Sequence, residues 1–166
     1  MVAGAIDEAT QTAALLVALE LAVPRYIQVM RQVVEGSGDP EPLTLQQYRC
    51  LRAIGGRDVA LTTRLARELG VTVPTMTSRI DGLVERGLVR RQPDPASRRQ
   101  IQVGLTAVGT DTLARYRALI DERLNALLAP LSVAARGCLG GAFGELAMLL
   151  APPLPDISDG ARAESG

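Results

Sequence analysis

The chain has 166 residues, 47% of them hydrophobic and 22% charged, with a formal net charge of zero. That length and apolar content support a globular core and exclude a mostly disordered chain. It contains no histidine, which removes the commonest transition-metal ligand and the commonest general base, so no metal and no cofactor is expected.

From Ile6 to Glu35 the chain reads as helix. Apolar side chains recur at Ala13, Leu16, Leu19, Val23, Ile27 and Met30, near the 3.6 period, and Pro24 inside the stretch is expected to kink or divide it. Residues 36–42 are Gly-, Asp- and Pro-rich and read as a loop. Thr44 and Gln47 form a capping box before a helix reaching about Ile54, with Leu45, Tyr48, Leu51 and Ile54 on one face. Asp58 to Ala60 reads as a small strand. Thr62 is the expected cap of a helix to Glu68, stopped by Gly70.

Only Val71 then separates Gly70 from Thr72, the next cap, with Pro74 at an early position that needs no N–H. The helix it opens runs from about Val73 to Arg86. Two helices joined by so tight a glycine turn make a helix-turn-helix. The second of them turns Met76, Ile80, Leu83 and Val84 inward and presents a thin polar face of Thr75, Thr77, Ser78, Arg79 and Gly82. Two alternating stretches, 88–92 and 100–105, read as strands joined by a turn over 93–99 that carries Arg98 and Arg99. A basic-tipped hairpin directly after a helix-turn-helix is a wing. Thr106 opens a helix to about Leu128, and Ser132 caps a last one with Leu139, Phe143, Leu146 and Leu150 apolar.

The fold expected is mainly α with a small β wing (α+β). It divides into an N-terminal dimerisation helix and loop (1–42), a winged helix-turn-helix (43–105), C-terminal dimerisation helices (106–151) and a disordered tail (152–166). Two apolar segments at each end cannot all bury their stripes on one small domain, so an isologous homodimer is expected.

Charge is segregated along this order. Between Arg49 and Arg99 eleven arginines meet five carboxylates, a net of +6, and the rest of the chain carries −6. A cationic middle with acidic flanks fits a nucleic-acid reader with a separate oligomerisation part. Every basic residue is arginine, whose planar fork matches phosphate and guanine. No apolar run is expected to reach membrane-spanning length, because Gly, Arg or Glu interrupts each one. Met1 leads into Asp7 and Glu8 with no basic n-region, so a cytoplasmic location is expected. Cys50 and Cys138 are far apart and are expected to be small buried thiols; a redox-sensing thiol is the alternative.

The string from Leu43 to Gly109 resembles the MarR family of regulators. The resemblance rests on Leu65-Ala66 through Leu69-Gly70-Val71-Thr72, on Asp81-Gly-Leu-Val-Glu-Arg-Gly-Leu-Val-Arg90, on Asp94-Pro95 with Arg98-Arg99, and on Leu105-Thr106 with Gly109. It implies a homodimeric repressor on a pseudo-palindromic operator in double-stranded DNA, relieved by a small-molecule effector or by oxidation. Ser97 stands where the family usually has Asp, and Ser78 and Gly82 stand where it often has Arg.

Thr75, Thr77, Ser78 and Arg79 are the candidate base readers, because the major groove displays a distinct donor and acceptor code. Arg98 and Arg99 are candidates for the narrow minor groove. Thr62, Thr63, Arg64 and Arg90 are candidate phosphate contacts. The resemblance places an effector pocket at the junction of helical region and winged domain, where Tyr26, Met30, Tyr48, Cys50 and Tyr116 are the candidates. No catalytic residues are assigned: no Ser/His or Cys/His pair, Walker loop or GxSxG occurs. A winged-helix protein–protein module without DNA binding is the alternative from another class.

Overall fold

A computed structural model describes residues 8–94 and 97–150, with the backbone alone at 8–9, 94 and 97–100. The elements in chain order are α1 (Glu8–Glu35), α2 (Leu45–Gly55), β1 (Ala60–Leu61), α3 (Thr62–Glu68), α4 (Val73–Glu85), β2 (Val89–Asp94), β3 (Ser97–Leu105), α5 (Ala107–Leu128) and α6 (Val133–Leu149). The expected tail, 152–166, lies outside the described residues.

Hydroxyl caps decide where most of these helices begin. Thr44 Oγ1 accepts from the Gln47 N–H at 3.2 Å while the Thr44 N–H donates to Gln47 Oε1 at 2.9 Å, closing the capping box of α2. Thr72, Thr106 and Ser132 accept from the backbone N–H groups of Thr75, Gly109 and Ala135 in the same way. Gly70 and Gly87 end their helices at φ of 65° and 69°, a left-handed backbone that costs glycine little.

Several expectations need correction. The cap of α3 is Leu61, without a side-chain hydrogen bond, and Thr62 is already helical. The small strand lies at Ala60–Leu61, because its ladder partners are Val103 and Gln102. The wing strands run further than alternation alone indicated, so Arg98 and Arg99 lie in β3 and not in the turn. Pairing continues through Pro93 opposite Ile101, with an irregular step to Asp94 opposite Ser97. Proline is tolerated there because the sheet order β1-β3-β2 makes β2 an edge strand. Pro24 does not divide α1, which continues through it. Finally, Thr10–Glu35 is long and apolar enough to cross a membrane by length and composition, contrary to expectation, since Glu20, Arg25 and Arg31 do not break so apolar a helix.

The core lies under the winged domain. Leu45, Leu51 and Ile54 from α2, Met76, Ile80 and Leu83 from α4, Val103 from β3 and Leu113 from α5 are buried. Tyr116 of α5 locks the loop before α2: its hydroxyl accepts from the Leu43 N–H at 3.0 Å and lies 3.0 Å from Ser37 Oγ. Beside it Arg115 grips both Asp39 oxygens at 2.6 and 3.0 Å, with its guanidinium 5.6 Å from the Tyr116 ring centre. Burial fades toward the chain ends. The α1 stripe is buried at Met30 and Val34 but exposed at Leu16, Val23 and Ile27, and α6 buries nothing among the described residues.

Candidate nucleic-acid interface

The outward side of α4 is small and polar. Thr75, Thr77 and Ser78 are exposed, while Met76 and Ile80 on the other side hold the helix in the core. Two of these hydroxyls are already engaged. Thr75 Oγ1 lies 2.8 Å from Thr72 Oγ1, and Thr77 Oγ1 donates to the Val73 carbonyl at 2.9 Å. A threonine hydroxyl oriented by its own helix keeps lone pairs free to accept. Arg79 is half-buried, and its charge opposes the upward shift that burial gives the Cys50 thiol of α2.

The wing is braced against this helix. Arg91 of β2 pairs with Asp81 of α4 at 2.6 Å, and its guanidinium lies 3.4 Å from the Thr77 carbonyl oxygen. Sequence reasoning missed this strut; the signal was the alternation in β2, which turns Arg91 to the face opposite Arg90. Between the two elements opens a groove of about 370 Å³ lined by Thr62, Thr63, Val73, Thr77, Arg91 and Ile101. Three of the candidate contacts, Thr62, Thr63 and Thr77, are therefore brought together. Arg64 is exposed on α3. Arg90 lies along the wing, donating to Leu105 O at 3.3 Å and Gln92 Oε1 at 2.9 Å. The side chains of Arg98 and Arg99 lie outside the described residues; their backbone is in β3.

A second concavity, about 340 Å³, lies where α1, α2 and α5 meet. It collects Tyr26, Met30 and Tyr48, joined by Arg52, Arg117 and Asp121, which sequence reasoning did not single out. Burial pushes the Tyr48 phenol above its usual range, against the opposing pull of Arg52 and Arg117. Cys50 and Tyr116 do not line this cleft. The Tyr116 hydroxyl is spent on Leu43 and Ser37, and the Cys50 sulfur faces Met76 Sδ at 3.6 Å. Burial raises the Cys50 thiol to about 11, so it stays protonated at neutral pH and is a poor nucleophile. Cys138, expected to be buried, is exposed on α6, because α6 finds no cover among the described residues.

Comparison with known proteins places the same region in context. A family model described as MarR family matches residues 43–101. The transcriptional regulator HosA of Escherichia coli is 38% identical over 72 residues, covering 43% of this chain and 53% of its own length. The HTH-type transcriptional repressor Mb2911 of Mycobacterium bovis is 31% identical over 103 residues, covering 60% of this chain and 74% of its own length. Among solved structures, the transcriptional repressor CouR bound to a 23-mer DNA duplex superposes with a TM-score of 0.67 at 29% identity, covering 78% of this chain and 89% of that one.

Proposed function

Because the chain belongs to the MarR family of transcriptional regulators, we propose that two copies of it bind one DNA duplex and repress transcription from it. The observation that carries this reading is the exposed polar face of α4 braced beside the wing within the cationic part of the chain. Thr75, Thr77, Ser78 and Arg79 read base edges in the major groove, and Arg98 and Arg99 follow the minor groove. Thr62, Thr63, Arg64 and Arg90 rest on phosphates and set the register without choosing the sequence. The chain works by binding and not by catalysis.

The homodimer is supported by the uncovered ends. The stripe that buries Met30 and Val34 against the core continues, exposed, through Ile27, Val23 and Leu16. An apolar seam of that length calls for a second copy, and with the seam covered the chain works in the cytoplasm and not in a membrane. The cleft of Tyr26, Met30 and Tyr48 joins a helix of this seam to α2 of the reading domain, which suits it to a small-molecule effector that relieves repression.

A fluorescence-anisotropy titration of the full chain against duplex from its own upstream region tests the reading. Nanomolar binding is expected at low salt, weakening by roughly a thousandfold between 50 and 200 mM salt through counterion release. Arg98→Ala is expected to weaken it several-fold with no change in the mass of the dimer. Absent or salt-insensitive binding would favour a winged-helix module that recognises protein, as Ser78, Gly82 and Ser97 would allow.

A further inference from the structure

A third cleft, about 570 Å³, opens between α2, the end of α3 and the last turn of α6, lined among others by Arg49, Arg52, Arg57, Glu68, Leu69 and Leu150. It shares no lining residue with the groove between α4 and the wing. Its size is that of ordinary small-molecule sites, roughly 300–1,000 Å³.

The charges in it are unevenly satisfied. Arg57 donates to the Ala53 carbonyl and to Glu68 Oε2, each at 2.8 Å, and so uses up the one carboxylate of the cleft. Arg49 and Arg52 stand one turn apart on the exposed side of α2, with no acceptor among the described residues. Like charges at that spacing repel on a helix. With Glu68 taken by Arg57, the cleft keeps an excess of positive charge, and such an excess attracts a counter-charge. Beside the two guanidiniums lie the apolar surfaces of Leu69 and Leu150.

We propose that this cleft binds a small organic phosphate monoester, its phosphate held between Arg49 and Arg52 and its apolar body against Leu69 and Leu150. A phosphate dianion offers three strong acceptor oxygens, enough for two guanidinium forks, whereas a single carboxylate satisfies one. The bound molecule spans two parts of the chain that otherwise touch little here: α2 and α3 of the reading domain on one wall, and on the other α6, which buries nothing of its own.

Isothermal titration of the full chain with phenyl phosphate, and with benzoate as the singly charged control, tests the assignment. Phenyl phosphate is expected to bind at least tenfold more tightly than benzoate. Arg49→Ala, which lines neither of the other clefts, is expected to weaken phenyl phosphate at least tenfold, with unchanged circular dichroism and unchanged duplex affinity. Equal affinities for the two probes, or an Arg49→Ala chain that binds phenyl phosphate as the parent does, overturns the proposal. So does an equal loss of duplex affinity in Arg49→Ala, which assigns the arginine to DNA. Binding that emerges only after Asp156→Asn and Asp159→Asn also overturns it, because the occupant is then the chain's own acidic end. Duplex affinity is measured separately, so failure here leaves the DNA-binding reading standing, and the reverse.

Discussion

Cys50 sits with no exposed surface between α2 and α4, its sulfur against Met76, and the low-dielectric surroundings disfavour the thiolate. The folded thiol holds its proton to about pH 11, while an unfolded one releases it near 9.0. A raised folded value means that this contribution to stability is full below pH 9.0 and is lost as the pH rises through 11. Two units correspond to on the order of 2–3 kcal/mol. Urea unfolding of the parent and of Cys50→Ala at pH 8 and 11 should therefore show the parent losing about that much stability relative to the variant. A stability difference that stays constant with pH would contradict the burial. A small hydrophobe was the expectation for Cys50, and it is met. It does not line the cleft of Tyr26, Met30 and Tyr48, because its sulfur faces Met76, and sequence spacing cannot say which side of α2 a sulfur faces.

Among the elements, the start of α5 is the closest fit. Thr106 caps the helix and also donates to the Gly87 carbonyl at 2.7 Å, while its N–H donates to Leu88 O at 3.1 Å. This draws α5 so near the start of the wing that a Cβ on Gly109 would lie 1.9 Å from the Leu88 oxygen. Gly109→Ala gains about 1 kcal/mol of helix propensity but must push the helix off the strand, and overpacking of that kind costs roughly 1–3 kcal/mol. A backbone oxygen cannot rotate away as a side chain can, so the upper end applies and a net loss of about 2 kcal/mol is expected in urea unfolding. An alanine variant as stable as the parent would mean that the two elements stand further apart. The glycine was legible in Leu105-Thr106 followed by Gly109, but its reason was not, since that reason is a carbonyl twenty-one residues away.

For the whole molecule, the uncovered apolar residues decide more than the buried ones. Leu15, Leu16 and Leu21 are each more than half exposed, as are Phe143, Met148 and Leu149 at the other end. Val23→Glu with Ile27→Glu places two carboxylates on the α1 stripe without touching the winged core. Sedimentation at micromolar concentration should give two copies for the parent and one for the variant, whose duplex affinity falls because a single reading head remains. A variant that still sediments as two copies would move the seam away from α1.

Local structure was legible before any packing: hydroxyl caps at 44, 72, 106 and 132, the glycine stop at 70, and the alternation that makes a wing. These signals act over a few residues, through one side chain and the backbone beside it, so they can be read in order along the chain. Packing settles that Leu61 and not Thr62 caps α3, that Arg91 braces the wing on Asp81, and that Arg52 and Arg117 join the tyrosine cleft. Each of those depends on the distance between groups far apart in the chain, and such distances are settled by how the helices pack.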